Sequence, residues 1–434
     1  MVPIPIEWNS ATAELGHNGA VTLRAADIET AAANLAGVAR RTELIRNDRL
    51  SDLTGAEVLL KREDLQPVRS YKLRGAYHFM STLSASERAA GVICASAGNH
   101  GQGVAYACAH LGIKGRIFCP TTTPRQKRDR MLALGGNWVE LVFVGNTYDE
   151  AAAAAAAEAE ATGTVKVHAF DDLRTIAGQG TVAPEIVDQI GLAPDVLLVP
   201  VGGGGLLAGC LAWIRERWPA TRVIGVEPAG AASMQAALWA GHPVRLDRLD
   251  TFADGVAVRT AGTLTLPIIQ QKGCEWATVA EGQICSEMLD LYQTDGVITE
   301  PAGALASAAL RTQVSVEPGQ TVVAIVSGGN NDVSRYAEIV ERSLVFEGRK
   351  HYFLVQFPQE PGALRRFLDE VLGPDDDITL FEYVKRSNRE VGPALVGVEL
   401  GDPGSLDELL RRMEHSQLQV EVIDPESPFY RFLV

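Results

Sequence analysis

Apolar residues recur in short continuous runs between about residues 57 and 345, and most runs are followed by a stretch with helical spacing. Continuous apolar runs predict strands that are buried on both faces. Alternating strands and helices predict parallel sheets with right-handed crossovers. The predicted strands are residues 58–61, 92–95, 116–119, 138–144, 196–199, 223–226, 297–299 and 322–326. The pattern therefore predicts an α/β protein over this region, preceded by a polar segment that contains helices.

The pattern changes near residue 345. Strands are predicted at residues 352–357, 378–384, 394–400 and 418–423, with helices at residues 361–372 and 405–413. This order, strand–helix–strand–strand–helix–strand, is the ferredoxin-like arrangement. The sequence therefore predicts a separate α+β domain at residues 345–434 behind a larger part at residues 1–344.

The charge balance limits the classes of partner. The chain has 434 residues, with 39 basic against 54 acidic side chains and a net charge of −15. Nucleic acids and anionic membranes need a positive surface, and no basic block occurs in the sequence. We therefore expect neither of these partners.

Three features bear on the cellular location. Residues 1–7 lack the basic and apolar regions of a signal peptide. Residues 196–214 carry no charge, but Pro200 and the glycines at 202–205 predict a strand, a loop and a helix rather than a membrane span. The six cysteines form no CxxC pair and fall in apolar patterns, so we expect reduced, buried thiols. These features predict a cytoplasmic protein.

Three glycine-bearing loops follow predicted strands. They are residues 96–100, 201–206 and 327–330. Ligands of open α/β sheets bind at the carboxyl ends of strands, so three such loops at one edge predict a cleft.

The loop at residues 202–205 consists of four consecutive glycines. Without Cβ atoms, several backbone N–H groups can converge on one anion, and the N-terminus of the following helix adds partial positive charge. A phosphate is the expected guest, and a tightly packed turn is the alternative. Residues 203–208 also satisfy the G-x-G-x-x-A pattern, with Glu227 at the end of the next strand, so a nicotinamide-dependent dehydrogenase is a second interpretation.

Lys72 lies at the start of a predicted helix, whose buried face is marked by apolar residues at offsets of three and four. Ser70 is the predicted N-cap. Between Arg69 and Arg74, and near a helix N-terminus, the amine of Lys72 is expected to experience positive potential, which favours the neutral nucleophilic form that a Schiff-base lysine needs. An ordinary surface lysine is the alternative.

Five motifs in order carry a family resemblance from about residue 40 to the end of the chain. They are Ser70-Tyr71-Lys72-Leu73-Arg74-Gly75-Ala76, Ser96-Ala97-Gly98-Asn99-His100, the tetraglycine loop, Glu300-Pro301-Ala302-Gly303-Ala304 and Ser327-Gly328-Gly329-Asn330. Together they resemble the fold type II pyridoxal-phosphate (PLP) enzymes, specifically the serine/threonine dehydratase group and its biosynthetic threonine ammonia-lyases. The resemblance implies a tryptophan synthase β-like catalytic part, with a smaller subdomain at roughly residues 63–160.

The resemblance also implies roles for individual residues. Lys72 forms the Schiff base with the cofactor, Asn99 hydrogen-bonds its ring hydroxyl, and Ser327 meets its pyridine nitrogen. Tyr71 lies against the ring. The residues implied for the phosphate, through their backbone, are Gly202, Gly203, Gly204, Gly205 and Leu206. Those implied for the substrate carboxylate are Ser96, Gly98, Asn99 and His100.

The implied reaction is elimination of water from L-threonine, followed by hydrolysis of the resulting enamine to 2-oxobutanoate and ammonia, with L-serine as a possible second substrate. A hydroxyl at the pyridine nitrogen keeps the cofactor a weaker electron sink than a carboxylate does, which favours elimination. Related racemases carry a serine where this chain has Ala97, which cannot carry a proton, so the resemblance favours elimination over racemisation. Racemisation and β-replacement are the near alternatives. Some relatives bind a metal through a glutamate followed shortly by an aspartate, but residues 228–234 contain no acid after Glu227. No metal is expected.

The C-terminal domain resembles the ACT-like domains of biosynthetic dehydratases. The resemblance implies feedback inhibition by isoleucine, antagonism by valine, and a homo-oligomer that is a tetramer or a dimer. Residues 361–364 are the loop expected to line the effector site. A purely architectural domain remains the alternative for this part, and an enzymatically silent amino-acid sensor is the non-enzyme interpretation of the whole chain.

Overall fold

The computed structural model describes residues 22–383, 390–416, 418–424, 427 and 430. Residues 1–7, on which the signal-peptide prediction rests, and Val384, the predicted end of a strand, lie outside the described residues. The chain divides into two compact units. The first comprises the described residues up to Glu281 together with Asp290–Asn331, and the second comprises Gly282–Leu289 and the described residues from Asp332 onward.

Two sheets form the first unit. Its strands are β1 (Leu44–Arg46), β2 (Glu57–Arg62), β3 (Val92–Ala95), β4 (Gly115–Cys119), β5 (Val139–Phe143), β6 (Val165–Lys166), β7 (Val196–Pro200), β8 (Arg222–Pro228), β9 (Glu275–Val279) and β10 (Thr321–Val326). The larger sheet has the order β1-β2-β10-β7-β8-β9 and the smaller one β5-β4-β3-β6. All pairs are parallel except β1 with β2. The predicted α/β class with parallel sheets is confirmed.

The helices that alternate with these strands along the chain are α1 (Ala25–Leu35), α2 (Asp48–Thr54), α3 (Lys72–Ser81), α4 (Ala85–Ala90), α5 (Asn99–Leu111), α6 (Arg125–Gly135), α7 (Tyr148–Thr162), α8 (Leu173–Gly180), α9 (Val182–Ile190), α10 (Gly205–Arg217), α11 (Ser233–Ala240), α12 (Thr265–Lys272), α13 (Glu281–Gln293) and α14 (Pro301–Ala308). Residues Gly282–Leu289 of α13 belong to the second unit. Across the part of the chain that the structure describes, no helix has both the length and the apolar character needed to cross a membrane. Residues 196–214 form β7, the glycine loop and part of α10, as the sequence predicts.

One predicted strand is wrong. Residues 297–299 pair with no strand in the described structure, and the backbone N–H of Val297 instead donates to the carbonyl of Leu291 at the end of α13, at 2.6 Å. The sequence pattern also missed β1, β6 and β9, of which β1 and β9 form the two edges of the larger sheet. Alternate residues of β9 are only partly buried, because β9 pairs with β8 alone.

Glycines allow three helices of the first unit to approach closely. A Cβ at Gly178 on α8 would lie 2.5 Å from the carbonyl oxygen of Arg74 on α3, and a Cβ at Gly180 would lie 2.6 Å from the backbone of Gly209 on α10. Side chains at these positions would push the helices apart. The contacts hold α3, which begins at Lys72, close to α8, and α8 close to α10, which begins at Gly205.

The second unit contains an antiparallel sheet. Its helices are α15 (Tyr336–Phe346), α16 (Ala363–Glu370) and α17 (Leu406–His415), and its strands are β11 (Lys350–Pro358), β12 (Asp377–Tyr383), β13 (Val391–Glu399) and β14 (Gln419–Val422). The strand order is β12-β13-β11-β14. Buried apolar side chains of β11, β13, α16 and α17 form its core. The predicted ferredoxin-like α+β arrangement is confirmed.

Candidate active site

Lys72 lies beside the end of β10. The backbone N–H of Tyr71 donates to the carbonyl of Ser327 at 3.1 Å, and Ser70 forms an isolated antiparallel bridge with Gly328. Lys72 is the first residue of α3 and is partly buried, with its Nζ 4.9 Å from the ring centroid of Tyr71. The structure therefore brings Tyr71, Lys72 and Ser327 together.

The N-cap prediction at Ser70 is wrong. Tyr71 occupies the N-cap position without a side-chain hydrogen bond, and Ser70 is drawn into the bridge with Gly328. Its hydroxyl is fully buried and has no partner among the described residues. Pairing with a strand end that is more than 250 residues away in sequence has overridden the local capping preference.

Arg74 contributes less positive potential at Lys72 than the sequence predicts. The guanidinium of Arg74 is buried and pairs with Glu63 and Glu185, each at 2.8 Å. A cation neutralised by two carboxylates adds little positive potential at Lys72. Of the two arginines that the sequence places beside Lys72, only Arg69 lacks such a described ion pair.

Asn99 occupies the start of α5 and is buried. Its Nδ2 donates to Oε1 of Glu300 at 2.6 Å, and its Oδ1 accepts from Nδ2 of Asn330 at 2.6 Å. Asn330 also donates to the carbonyl of Val68 at 2.9 Å. The predicted loop at residues 96–100 and the loop at residues 327–330 therefore meet through one side chain.

The tetraglycine loop joins β7 to α10. Gly204 has φ 91°, a left-handed conformation that favours glycine, and α10 begins at Gly205. The first N–H groups of an α-helix have no intrahelical partner and carry partial positive charge. The start of α10 therefore offers N–H donors to an anion, as the sequence predicts.

The same loop is tightly enclosed. A Cβ at Gly203 would overlap the ring of Phe170, one at Gly205 would overlap Oε1 of Gln179, and one at Gly202 would lie 2.7 Å from the carbonyl oxygen of Val256. Only backbone fits between these groups. Leu206, the last predicted phosphate residue, is buried in the core behind the loop.

Two side chains link the loop to the rest of the site. Gln179 contacts Gly205 and also Gly75 on α3, where an added Cβ would lie 2.8 Å from its Cγ. Val256, which lies against Gly202, comes directly after Gly255 in the sequence. A Cβ added at Gly255 would lie 3.6 Å from Nδ2 of Asn99. The glycine loop, the Lys72 helix and Asn99 therefore enclose one region.

We expect Gly204→Ala to weaken binding of PLP and to destabilise the protein by about 2–4 kcal/mol, since it combines backbone strain with overpacking. The added Cβ would overlap Met234 and would lie 2.9 Å from Oγ1 of Thr265. Gly241 is the matched control, because its φ is 77° and nothing lies within 4 Å of an added Cβ. Gly241→Ala should cost only about 1 kcal/mol. Urea denaturation and PLP titration of both variants check this, and equal effects would contradict it.

The loop at residues 96–100 places backbone donors at the start of α5. Oγ of Ser96 accepts from the N–H of Gly98 at 3.2 Å, and Gly98 is the N-cap. The His100 side chain is differently engaged, because its Nε2 donates to the carbonyl of Val167 at 2.9 Å. Burial, together with the charge of Lys72, lowers the pKa of His100 to about 3. A neutral imidazole whose only N–H is used offers nothing to a carboxylate, so the backbone N–H of His100 is the group that fits the predicted role.

Ser327 is buried at the end of β10, and its hydroxyl donates to the carbonyl of Ala302 at 3.0 Å. A hydroxyl has one hydrogen, which rotates to suit its partner. Donation to a pyridine nitrogen would take that hydrogen from Ala302.

The dinucleotide interpretation of residues 203–208 is wrong. It needs the carboxylate of Glu227 to be free for a ribose, but this carboxylate is buried and accepts from the N–H groups of Met234 and Gln235 at 2.8 and 2.9 Å. Glu227 therefore anchors the start of α11. Burial raises the pKa of its carboxyl to about 8.

Sequence reasoning missed the role of Glu300. The sequence motif at residues 300–304 contains it, and Glu directly before Pro301 at a helix start is a local signal. Its hydrogen bond to Asn99, however, joins residues 201 positions apart. Sequence spacing carries no information on such a contact.

These groups fit pyridoxal phosphate. The cofactor has an aldehyde for an amine, a phosphate for clustered N–H groups, and ring oxygen and nitrogen atoms for an amide and a hydroxyl. The site has a partly buried amine at Lys72, the donors at the start of α10, the Asn99 amide and the Ser327 hydroxyl. The hydroxyl of Thr299 is also buried and unpartnered among the described residues.

Comparison with known proteins identifies the family of this chain. The chain belongs to the family of pyridoxal-phosphate dependent enzymes, which matches residues 35–328. Residues 341–433 match the C-terminal regulatory domain of threonine dehydratase. The family resemblance and the PLP cofactor that the motifs predict are confirmed.

The similar proteins are more specific. The chain is 59% identical over 415 residues to L-threonine dehydratase biosynthetic IlvA of Mycobacterium bovis, covering 95% of this chain and 96% of the relative. It is 54% identical over 421 residues to the protein of the same name in Corynebacterium glutamicum, with 96% of both chains covered. Among solved structures, the processed form of threonine deaminase isoform 2 from Solanum lycopersicum has a TM-score of 0.69 at 38% identity, over 79% of this chain and 98% of that chain.

Proposed function

We propose that this chain is a PLP-dependent lyase that converts L-threonine to 2-oxobutanoate and ammonia, the committed step of isoleucine biosynthesis. The observation that carries the proposal is the position of Lys72. This amine lies next to the end of β10, in a PLP-family chain that also presents the glycine N–H cradle, the Asn99 amide and the Ser327 hydroxyl. The named relatives support the substrate.

The chain's residues have the following roles in this proposal. Lys72 holds the cofactor covalently, and the backbone of residues 202–206 holds its phosphate. Asn99 donates to the ring oxygen, Ser327 donates to the ring nitrogen, and Tyr71 packs near the ring. The N–H groups at the start of α5, with Ser96, Gly98 and His100 in the same loop, receive the substrate carboxylate, because a helix N-terminus favours an anion.

When bound, the cofactor supplies an electron sink for the bond that breaks at Cα of the substrate. Lys72, released from its covalent role, is the base that takes the Cα proton, as a positioned amine can. Ala97 lies in this loop and has no group that carries a proton, so the residue at that position cannot return a proton to Cα. This arrangement favours elimination over racemisation.

The direct test is formation of 2-oxobutanoate by the purified holoprotein. We expect turnover of L-threonine, and slower turnover of L-serine, with a preference of roughly 10–200-fold because one methyl group contributes about 1–3 kcal/mol. Turnover of L-serine alone would overturn the substrate assignment. Conversion of L-serine to D-serine, or of L-threonine to D-allothreonine, without keto acid would favour the racemase alternative.

We further propose that residues 345–434 form a regulatory domain that binds isoleucine, opposed by valine, in a homotetramer or homodimer. The match to a threonine dehydratase regulatory domain and the ferredoxin-like fold support this proposal. The loop at residues 361–364 is the proposed lining of the effector site. No disulfide joins the six cysteines, all of which lie among the described residues, and this supports a cytoplasmic location.

Adding isoleucine to the threonine assay tests the regulatory proposal separately. We expect turnover to fall with isoleucine and to recover when valine is added, because allosteric effectors act through different affinities for two states. A turnover rate that does not change at any isoleucine concentration would contradict the proposed regulatory role and would leave the lyase assignment unaffected.

A further inference from the structure

The carboxyl group of Glu300 has no role in the proposed reaction, yet three loops converge on it. We propose that Glu300 is a positioning residue that, together with Asn330, fixes the orientation of the Asn99 amide and thereby sets the affinity for the cofactor. This inference rests on the proposed function in one respect, because it takes Asn99 to be a cofactor contact.

The hydrogen bonds around Asn99 define one orientation of its amide. Both hydrogens of Asn330 Nδ2 are used, one by the carbonyl of Val68 and one by Oδ1 of Asn99. One hydrogen of Asn99 Nδ2 goes to Oε1 of Glu300. The other has no partner within the described chain and is available to a ligand oxygen.

The reversed amide is unfavourable at both ends. Rotation by 180° would turn Oδ1 of Asn99 toward the Glu300 carboxylate and Nδ2 toward the donor group of Asn330. An ionised carboxylate accepts hydrogen bonds only, whereas a protonated one can also donate. Protonation of Glu300 would therefore remove the repulsion at one end, and the free Nδ2 hydrogen would no longer be held toward the ligand.

Two glycines lie against the carboxyl group of Glu300, and neither position has room for a side chain. A Cβ at Gly328 would overlap Oε1 of Glu300, and a Cβ at Gly255 would lie 3.0 Å from the same atom. Glu300 itself is 3% exposed. The backbone at these two glycines, which belong to different loops, lies against the same buried oxygen, Oε1 of Glu300, and therefore restricts its position.

Burial brings the pKa of this carboxyl close to neutrality. Burial, reinforced by the negative charge of Asp254, raises the pKa of Glu300 to about 7, while the hydrogen bond from Asn99 and the positive charge of Lys127 oppose the rise. Lys127 on α6 also pairs with Asp254 at 2.6 Å. Ionised Glu300 should therefore prevail at pH 8 and neutral Glu300 at pH 6.

The experiment measures the Kd of PLP for the apoprotein of wild type and Glu300→Gln between about pH 5.5 and 8.5. Glutamine is uncharged and resembles the protonated carboxyl. At the high-pH end of this range, we expect the variant to bind PLP about 10-fold more weakly than wild type, because it lacks one charge-assisted hydrogen bond. At the low-pH end, we expect the two proteins to bind PLP nearly equally. Taking the ratio of the two Kd values cancels the ionisation of PLP and of Lys72. A ratio that does not change with pH would overturn the proposal.

A double-variant cycle tests whether Glu300 acts through Asn99. In an Asn99→Ala background, Glu300→Gln should have no further effect on Kd, whereas additive effects would show that Glu300 acts independently and would overturn the proposal. If Glu300→Gln does not fold, Asn330→Ala is the second variant. It should weaken PLP binding at every pH, and unchanged binding would equally overturn the proposal.

Glu227→Gln is the matched control. Glu227 is another fully buried carboxyl with a raised pKa, but it binds the start of α11 and not Asn99. Its replacement should leave the Kd ratio near 1 at every pH, and the same pH dependence in this variant would refute a specific role of Glu300. If instead wild type itself shows no Lys72-dependent PLP binding, the proposed function fails, which is a distinguishable result.

Discussion

Lys72→Ala should lower kcat/KM for L-threonine by at least about 10³-fold and should abolish the visible absorbance of bound PLP. The variant would lose both proposed roles of this amine, as the group that holds the cofactor and as the base for the Cα proton, and a positioned base alone contributes roughly 10²–10⁴-fold. Lys72 is partly buried beside Tyr71 and the end of β10. Stopped assays of 2-oxobutanoate and absorbance spectra measure both effects.

Two variants separate the covalent role from the charge. Lys72→Arg keeps a cation but provides no amine that can condense with an aldehyde, so it should be as inactive as Lys72→Ala. Lys114→Ala is the control, because Lys114 is an exposed lysine whose Nζ donates to the carbonyl of Asn137. It should retain wild-type turnover and absorbance. Substantial activity of Lys72→Arg would exclude Lys72 as the cofactor lysine.

Glu63→Gln should lower the free energy of unfolding by about 3–5 kcal/mol, because it breaks a buried ion pair and leaves Arg74 undercompensated. The carboxylate is fully buried and accepts from Nε and Nη2 of Arg74, both at 2.8 Å, and from Oγ1 of Thr42 at 2.6 Å. The network continues through Glu185 to the buried Nζ of Lys61, at 2.6 Å. Urea denaturation at neutral pH measures the loss.

The exposed pair of Arg125 and Asp129 is the control for this loss. These side chains are 86% and 62% exposed, so Arg125→Ala should change stability by less than about 1 kcal/mol. A similarly small effect of Glu63→Gln would contradict the expectation.

The same buried pair predicts the direction of acid sensitivity. Burial alone would raise the pKa of Glu63, but the guanidinium of Arg74 outweighs it and holds the pKa below its usual range. A carboxyl with a lowered folded-state pKa stabilises the protein above the unfolded value, about 4.3, and this contribution is lost as pH falls through the folded value. Wild type should therefore lose more stability than Glu63→Gln on acidification below about pH 4.

Local patterns in the sequence determined the elements and the ends that carry the site. Residues 92–95 are predicted as a strand and form β3, and Gly112, a residue type typical of helix ends, ends α5 in a left-handed conformation. Thr147 caps α7 through a hydrogen bond with the backbone of Glu150. Apolar periodicity, helix caps and glycine loops all depend on residues that are close together in the sequence. The sequence alone can therefore identify them.

The tertiary structure alone decided which groups meet. Ser70 pairs with Gly328 rather than capping α3, Arg74 is neutralised by Glu63 and Glu185, and Asn99 is held by a carboxyl 201 residues away. The state of a buried charge depends on desolvation and on partners that the fold brings within about 3 Å. Neither quantity is a property of sequence spacing. The sequence therefore predicted the fold class and the cofactor, which are confirmed, and Lys72 as the cofactor lysine, which stays a prediction. Tertiary contacts determined the electrostatic setting of Lys72 and the positioning of Asn99.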